Sequence, residues 1–311
     1  MKRVFFIFYL IQATSINLYA QNFNEEKVLN IVEILSHDSL KGRKTGTEEN
    51  KKAQKIIQKF YQEHHLEFLK NYTSYTHPFK IGNKTGTNIL GYIPGSVFPE
   101  QYIVISAHYD HLGTRNGRVF NGADDNASGV GGLMATMDYF TKNPPKNSIL
   151  FAAFDGEEID LLGSKNFVSH PPVPLKKILL NINLDMVSRS DKKELYAAGA
   201  NYYPYLKTYL QKSDEENNGV DLKFGHDFPD KKHPSNDWTF VSDHGPFHQQ
   251  KIPFIYFGVE DHADYHQSTD DFEKINKSFY LSCLKLIIDV IHTLDNYSEE
   301  IKNSRQTNKE E

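Results

Sequence analysis

Asn121-Gly122-Ala123-Asp124-Asp125-Asn126-Ala127-Ser128-Gly129 sits at the switch between a strand and a helix. Before it, Tyr102 to Ala107 is an almost unbroken apolar run, the pattern of a central strand covered on both faces, and it closes on His108-Tyr109-Asp110-His111. After it, Val130 to Phe140 reads as a helix stopped by Asn143-Pro144-Pro145. Two adjacent aspartates on a glycine-bounded loop at this junction have few structural reasons to exist. One of them is expected to bridge two metal ions.

Working outward, Ser148 to Phe154 is a second buried strand, ending at Asp155-Gly156-Glu157-Glu158. A short helix over Leu161 to Val168 leads to a third, Ile178 to Leu184, which ends at Asp185. Alternating strands and helices define an α/β protein, one three-layer α/β/α domain, with its site beyond the carboxyl ends of the strands. Upstream, helices are expected over Asn24–Leu35 and from Thr47 to His64, then strands near Tyr72–Ile81 and Thr87–Ile93 joined by a turn at Asn83–Gly86. Downstream come a helix over Tyr202–Leu210, a polar surface excursion over Asp214–Thr239, a strand over Ile252–Phe257 and a helix over Glu273–Leu294. The charged tail from Ser298 lacks apolar periodicity and is expected to be disordered, so the domain runs from 21 to 296.

At 311 residues the chain can bury a full core, and its net charge of −5 with no basic stripe argues against nucleic acid as a partner. Lys2 and Arg3 precede an apolar run from Val4 to Ile11, and Leu18-Tyr19-Ala20 offers a small residue at a cut. This is the pattern of a secretory signal peptide over residues 1–20. The protein is therefore expected to be exported, periplasmic or secreted, with no stable membrane insertion after cleavage. Its one cysteine, Cys283, lies in an apolar helical run and reads as a small buried hydrophobe. With no second thiol, an intramolecular disulfide is excluded.

Acidic or imidazole groups thus end several buried strands. Carboxylates packed together raise one another's pKa unless cations compensate them. Imidazole and carboxylate without thiolate suit zinc, with manganese or cobalt as substitutes. His108 and Asp110 are two apart, so both can face one side, and Asp110 is expected to accept the ring hydrogen of His108. Glu157 and Glu158 diverge, so one can bind metal while the other meets the attacking water.

His108-x-Asp110, Gly122 to Gly129, Glu157-Glu158, Asn183-Leu184-Asp185-Met186 and Tyr265-His266-Gln267-Ser268-Thr269-Asp270 together resemble the exported bacterial di-zinc aminopeptidase family, which also contains glutamate carboxypeptidase and glutaminyl cyclase relatives. Leu40 to Thr47 and Ser242 to Phe247 look like family segments too, so the resemblance covers roughly Asn24 to Thr293. It implies a zinc exopeptidase-like fold around a central, mostly parallel mixed sheet. It also implies two zinc ions, one held by His108 and Asp185, the other by Glu158 and His266, with Asp125 as the bridge. Asp124 would then hold the loop, and Ser128 or Asn126 would cap the following helix. Glu157 would be the general base for a metal-bridging hydroxide, and Tyr265 would steady the tetrahedral intermediate. The implied activity is removal of N-terminal residues from peptides with a free N-terminus. The alternative is a glutaminyl-peptide cyclotransferase using the same site with one zinc. A non-enzymatic binding module is disfavoured, because every matched ligand position is retained. His111 is expected to be a wall or packing residue, and His244 to order its loop. His226, His233, His248 and His262 are expected to be exposed.

Overall fold

The computed structural model describes residues 23–214 and 219–307; the expected signal segment lies outside the described residues. Ten strands are present among them: β1 (Thr76–Ile81), β2 (Lys84–Ile93), β3 (Phe98–His108), β4 (Gly113–Arg115), β5 (Arg118–Phe120), β6 (Asn147–Phe154), β7 (Ile178–Leu184), β8 (Glu194–Ala198), β9 (Asp221–Lys223) and β10 (Phe254–Gly258). Eight form one sheet in the order β1-β2-β6-β3-β7-β10-β8-β9, while β4 and β5 pair separately. β6, β3, β7 and β10 run parallel at its centre, and β1, β2 and β8 pair antiparallel around them. Chain order therefore reverses direction across the sheet at β3, where an open α/β sheet leaves a crevice beyond its strand ends.

The helices are α1 (Glu25–Leu35), α2 (Glu48–Glu63), α3 (Gly129–Lys142), α4 (Leu162–Ser169), α5 (Lys207–Asp214), α6 (His244–Gln249), α7 (Lys277–Asn296) and α8 (Ser298–Thr307). The continuous apolar strands are explained by their two covered faces. In β6, Ile149, Phe151 and Ala153 pack into the large core with α1, α2, α3 and α7, whereas Leu150, Ala152 and Phe154 pack with Phe167 of α4 and Phe247 of α6. Side chains alternate across a strand, so both sets are buried, each large residue contributing about 1.5–3 kcal/mol. Glycine spacing in α3 lets helices approach closely: a Cβ on Gly131 would lie 2.3 Å from the hydroxyl of Tyr280. That hydroxyl instead donates to the Ser128 carbonyl at 2.7 Å, tying α7 to the acidic loop. No helix among the described residues is long and apolar enough to cross a membrane.

Thr47 starts α2 as expected, its hydroxyl accepting the Asn50 N–H, and Asn24 likewise caps α1. The structure corrects four other expectations. The hairpin turn lies at Gly82–Asn83, with Ile81 facing Lys84, because the polar residues from Lys84 continue the strand. The helix expected from Tyr202 becomes regular only at Lys207, after a turn begun at Pro204. The Asp214–Thr239 excursion contributes β9 and buries Trp238 and Thr239. The tail expected to be disordered forms α8 through Thr307. Two residues that a charge-based reading overlooks hold it: Ile301 is buried, and Arg305 donates to the carbonyls of Ile178, Leu179 and Lys251.

Candidate metal centre

His108 ends β3, Glu157 and Glu158 follow β6, Asp185 follows β7, and Tyr265 and His266 lie on the loop after β10. Adjacent parallel strands thus deliver these groups to one crevice. His108 Nε2 lies 3.3 Å from Asp125 Oδ1, 3.3 Å from Asp185 Oδ1 and 3.9 Å from Glu157 Oε2. On the other side, His266 Nε2 is 3.1 Å from Asp125 Oδ2 and 3.6 Å from Glu158 Oε2. Asp125 therefore offers one oxygen to each group of donors. His108, Glu157 and Asp185 make one compact set of metal-capable atoms, and His111, Asp125 and Glu158 make another.

Hydrogen bonds fix the Asp125 loop from four directions. Asp270 accepts the N–H groups of Asp124 and Asp125 at 3.1 Å. Asp124 turns away from the crevice, accepting from the backbone and hydroxyl of Ser188 at 2.8 and 2.7 Å and pairing with His262 Nε2 at 3.0 Å. The side chain of Asn126 donates to the Leu184 carbonyl and accepts the Gly129 N–H, so Asn126 rather than Ser128 supports the start of α3. A Cβ on Gly129 would lie 2.3 Å from that Leu184 oxygen, which only glycine avoids. Behind the loop, the fully buried guanidinium of Arg43 donates to the carbonyls of Leu35, Tyr109, Asn121 and Gly122.

Asp110 departs from expectation. His108 Nδ1 meets the backbone carbonyl of Asp110 at 3.2 Å, while the Asp110 carboxylate stands 3.8 Å away. That carboxylate is drawn off by the Thr45 hydroxyl at 2.8 Å and the Glu157 N–H at 3.1 Å. His111, expected to be a wall or packing residue, is indeed buried, and its Nδ1 lies 2.6 Å from Glu158 Oε1. His244 donates through Nε2 to the Trp238 carbonyl at 2.8 Å, and so ties that loop. Of the histidines expected to be exposed, only His233 is; His226 stacks on Trp238 with ring centroids 3.8 Å apart, His248 bonds Tyr203, and His262 is held by Asp124.

The electrostatics follow from burying acids and imidazoles together. Burial pulls the His108 imidazole down, but Glu157, Asp185 and Asp125 outweigh it and hold the ring well above its ordinary value. Burial raises Asp125, yet His111, His108 and His266 outweigh that and keep its carboxyl well below the usual range. Glu157 is pushed well above it, by burial first; His108 opposes this, and Asp185, Asp243 and Glu158 reinforce it. The donor set fits divalent cations on this geometry. Glu158 Oε1 and both His111 nitrogens are buried without a hydrogen-bond partner, an arrangement that is costly unless something else satisfies them.

A cleft of about 360 Å³ opens over these groups, walled by Met186, Trp238, Val241, Tyr256, Val259 and Tyr265. The Tyr265 ring stacks on that of His266 at 4.0 Å. Arg43 and Asp270 are positioning residues that the sequence reading left without a role; their signal was an arginine and an aspartate inside segments already singled out.

A parallel-centred sheet carrying two facing sets of imidazole and carboxylate donors at its strand ends defines a metallohydrolase-like α/β protein. The fold is that of BSAP, a zinc aminopeptidase from Bacillus subtilis, with a TM-score of 0.68 at 19% identity over 86% of this chain and 95% of that one. Porphyromonas gingivalis glutaminyl cyclase is similarly close, with a TM-score of 0.69 at 19% identity over 87% of this chain and 98% of that one. Residues 88–291 match the model of peptidase family M28, and the chain belongs to that family. Aminopeptidase YwaD of Bacillus subtilis (strain 168) is 31% identical over 205 residues, 63% of this chain and 42% of that protein. The chain thus spans less than half the length of the curated relatives it matches.

Proposed function

We propose that this protein is a zinc-dependent aminopeptidase that hydrolyses the first peptide bond of substrates with a free N-terminus. The observation that carries this reading is Asp125, whose two oxygens face His108 and His266 separately, with Glu157 beside the first set. His108, Asp125 and Asp185 would hold one zinc ion, and Asp125, Glu158 and His266 the other. When bound, such ions supply Lewis acidity and lower the pKa of water. The Glu157 carboxylate takes the proton from the attacking water and returns it to the leaving amine. Burial keeps the Tyr265 phenol protonated, its pKa raised further by Asp125 and Asp185, so its hydroxyl can donate to the oxyanion.

The cleft also favours the amino end of a peptide. Among its described lining residues there is no lysine or arginine to receive a terminal carboxylate, while the carboxylate of Asp261, used by neither cation position, suits an ammonium group. Zinc-loaded protein incubated with a Gln-initiated peptide and its N-acetylated form tests this reading. Free glutamine from the first peptide only is the expected result. Ammonia with a pyroglutamyl product identifies a cyclase instead, and equal cleavage of the acetylated peptide removes the requirement for a free N-terminus.

The Lys2 to Ala20 pattern supports export of the protein. Amino-terminal sequencing after expression in a bacterial host should find the chain outside the cytoplasm and starting near Gln21. A cytoplasmic chain retaining Met1 contradicts that reading.

A further inference from the structure

We infer that His111 is an additional nitrogen ligand at the second cation position, the one formed by Asp125, Glu158 and His266. The inference rests on the two-ion reading above and adds to it a residue that the sequence resemblance left as packing.

The first observation is that the imidazole faces the carboxylates of Glu158 and Asp125 and nothing that hydrogen-bonds it. Its side chain is fully buried, and neither ring nitrogen has a hydrogen-bond partner. Ordinary packing histidines in this fold are satisfied differently: His64, for example, meets the Phe60 carbonyl and Asp138. A buried imidazole with two unsatisfied nitrogens carries a desolvation cost, and a cation at Nδ1 would remove the part that belongs to that nitrogen.

The second observation is where the ring is aimed. His111 Nδ1 lies 3.7 Å from Asp125 Oδ2, which lies 3.1 Å from His266 Nε2, which lies 3.6 Å from Glu158 Oε2. Four donors on one tetrahedral zinc, with bonds of about 2.1 Å, stand roughly 3.4 Å apart. These three separations bracket that value, and His111, Asp125 and Glu158 form one compact donor set that His266 meets through Asp125 and Glu158. The Nδ1–Oε1 approach of 2.6 Å lacks hydrogen-bond geometry, and it is the one separation that must widen when Glu158 turns to a shared ion.

The third observation is that the backbone makes room for this ring. Gly122 has φ +59°, and a Cβ there would lie 2.6 Å from Cγ and Cδ2 of His111. A glycine in the acidic loop thus clears the space that the imidazole fills, so the loop carrying Asp125 and the strand end carrying His111 fit one another. His111 would thus give the second position a fourth protein donor, while the first would keep three, His108, Asp125 and Asp185.

Zinc affinity measured by competition with a chromophoric chelator, on the apoprotein and on His111→Phe, tests the inference without an activity assay. The wild type should take two ions. The variant should take the first as before and bind the second at least about 10-fold more weakly, and cobalt at that position should change its visible spectrum. Two ions bound with unchanged affinity and spectrum overturn the role of His111 while leaving the two-ion reading intact. Fewer than two ions in the wild type overturn both. Should the phenylalanine variant not fold, 15N-histidine-labelled wild-type protein titrated with zinc gives the same answer. The Nδ1 resonance of His111 must move with the second equivalent, and a resonance that stays put contradicts the inference.

Discussion

Asp125 and His266 come within 3.1 Å across the crevice, although 141 positions separate them in numbering and the other oxygen of Asp125 is turned to His108. A carboxylate so shared couples two sets of donors. Asp125→Asn should therefore impair both cation positions rather than one, leaving less than one equivalent of zinc after dialysis, by elemental analysis. Glu158→Ala should empty only the second. Two retained equivalents in Asp125→Asn contradict the shared role.

The Asp125 loop depends on Arg43, whose guanidinium is fully buried and donates to four carbonyls. Burial lowers its pKa to about 10, which leaves it charged at neutral pH. Arg43→Met strands those carbonyls and removes a cation facing Asp125 and Asp110, so stability should fall by on the order of 3 kcal/mol. Arg43→Lys should lose less, since it keeps the charge but not the fork. Urea unfolding of the apoproteins measures both, and equal stability of Arg43→Met and wild type contradicts the assignment.

Much of this candidate centre is legible in the sequence because its acidic and imidazole groups stand at the ends of buried strands, where apolar runs fix their position. His108, Glu157, Glu158 and Asp185 are of this kind. Asp110 shows the limit of spacing arguments: two residues along a strand place it on the side of His108, but Thr45 and the Glu157 N–H, distant in sequence, turn its carboxylate elsewhere. The same holds for His111, whose neighbours Gly122 and Glu158 only meet it once the loop has folded. β8 and α8 escaped notice because tertiary contacts rather than local patterns define them.

α8 provides a direct check of that last point. Removing residues 298–311 exposes what Ile301 covers and releases the three carbonyls bound by Arg305. The truncated chain should be about 2–4 kcal/mol less stable to urea. An unchanged midpoint and slope would restore the view of this segment as a free tail.

His244 sets a pH dependence of stability through its burial. Burial lowers its pKa from 6.5 to about 3. The unfolded chain therefore binds a proton near pH 6.5 that the folded chain refuses until about pH 3. The stabilisation is fully present above the unfolded value and is lost as pH falls through that window, by up to ~1.4 kcal/mol per pH unit. His244→Gln should flatten the slope of unfolding free energy between pH 6 and 4 by up to one proton, measured in urea titrations at each pH. An identical slope in the variant would mean that His244 is not the group responsible.

Glu157 carries the central claim, because its carboxylate is assigned to proton transfer while the neighbouring residue is assigned to metal. Turnover of an aminoacyl chromogenic substrate by zinc-loaded Glu157→Gln, measured alongside its zinc content, is the most direct test. The account predicts wild-type zinc content with activity reduced by about 10²-fold or more. Near wild-type turnover by the metal-replete variant would contradict it.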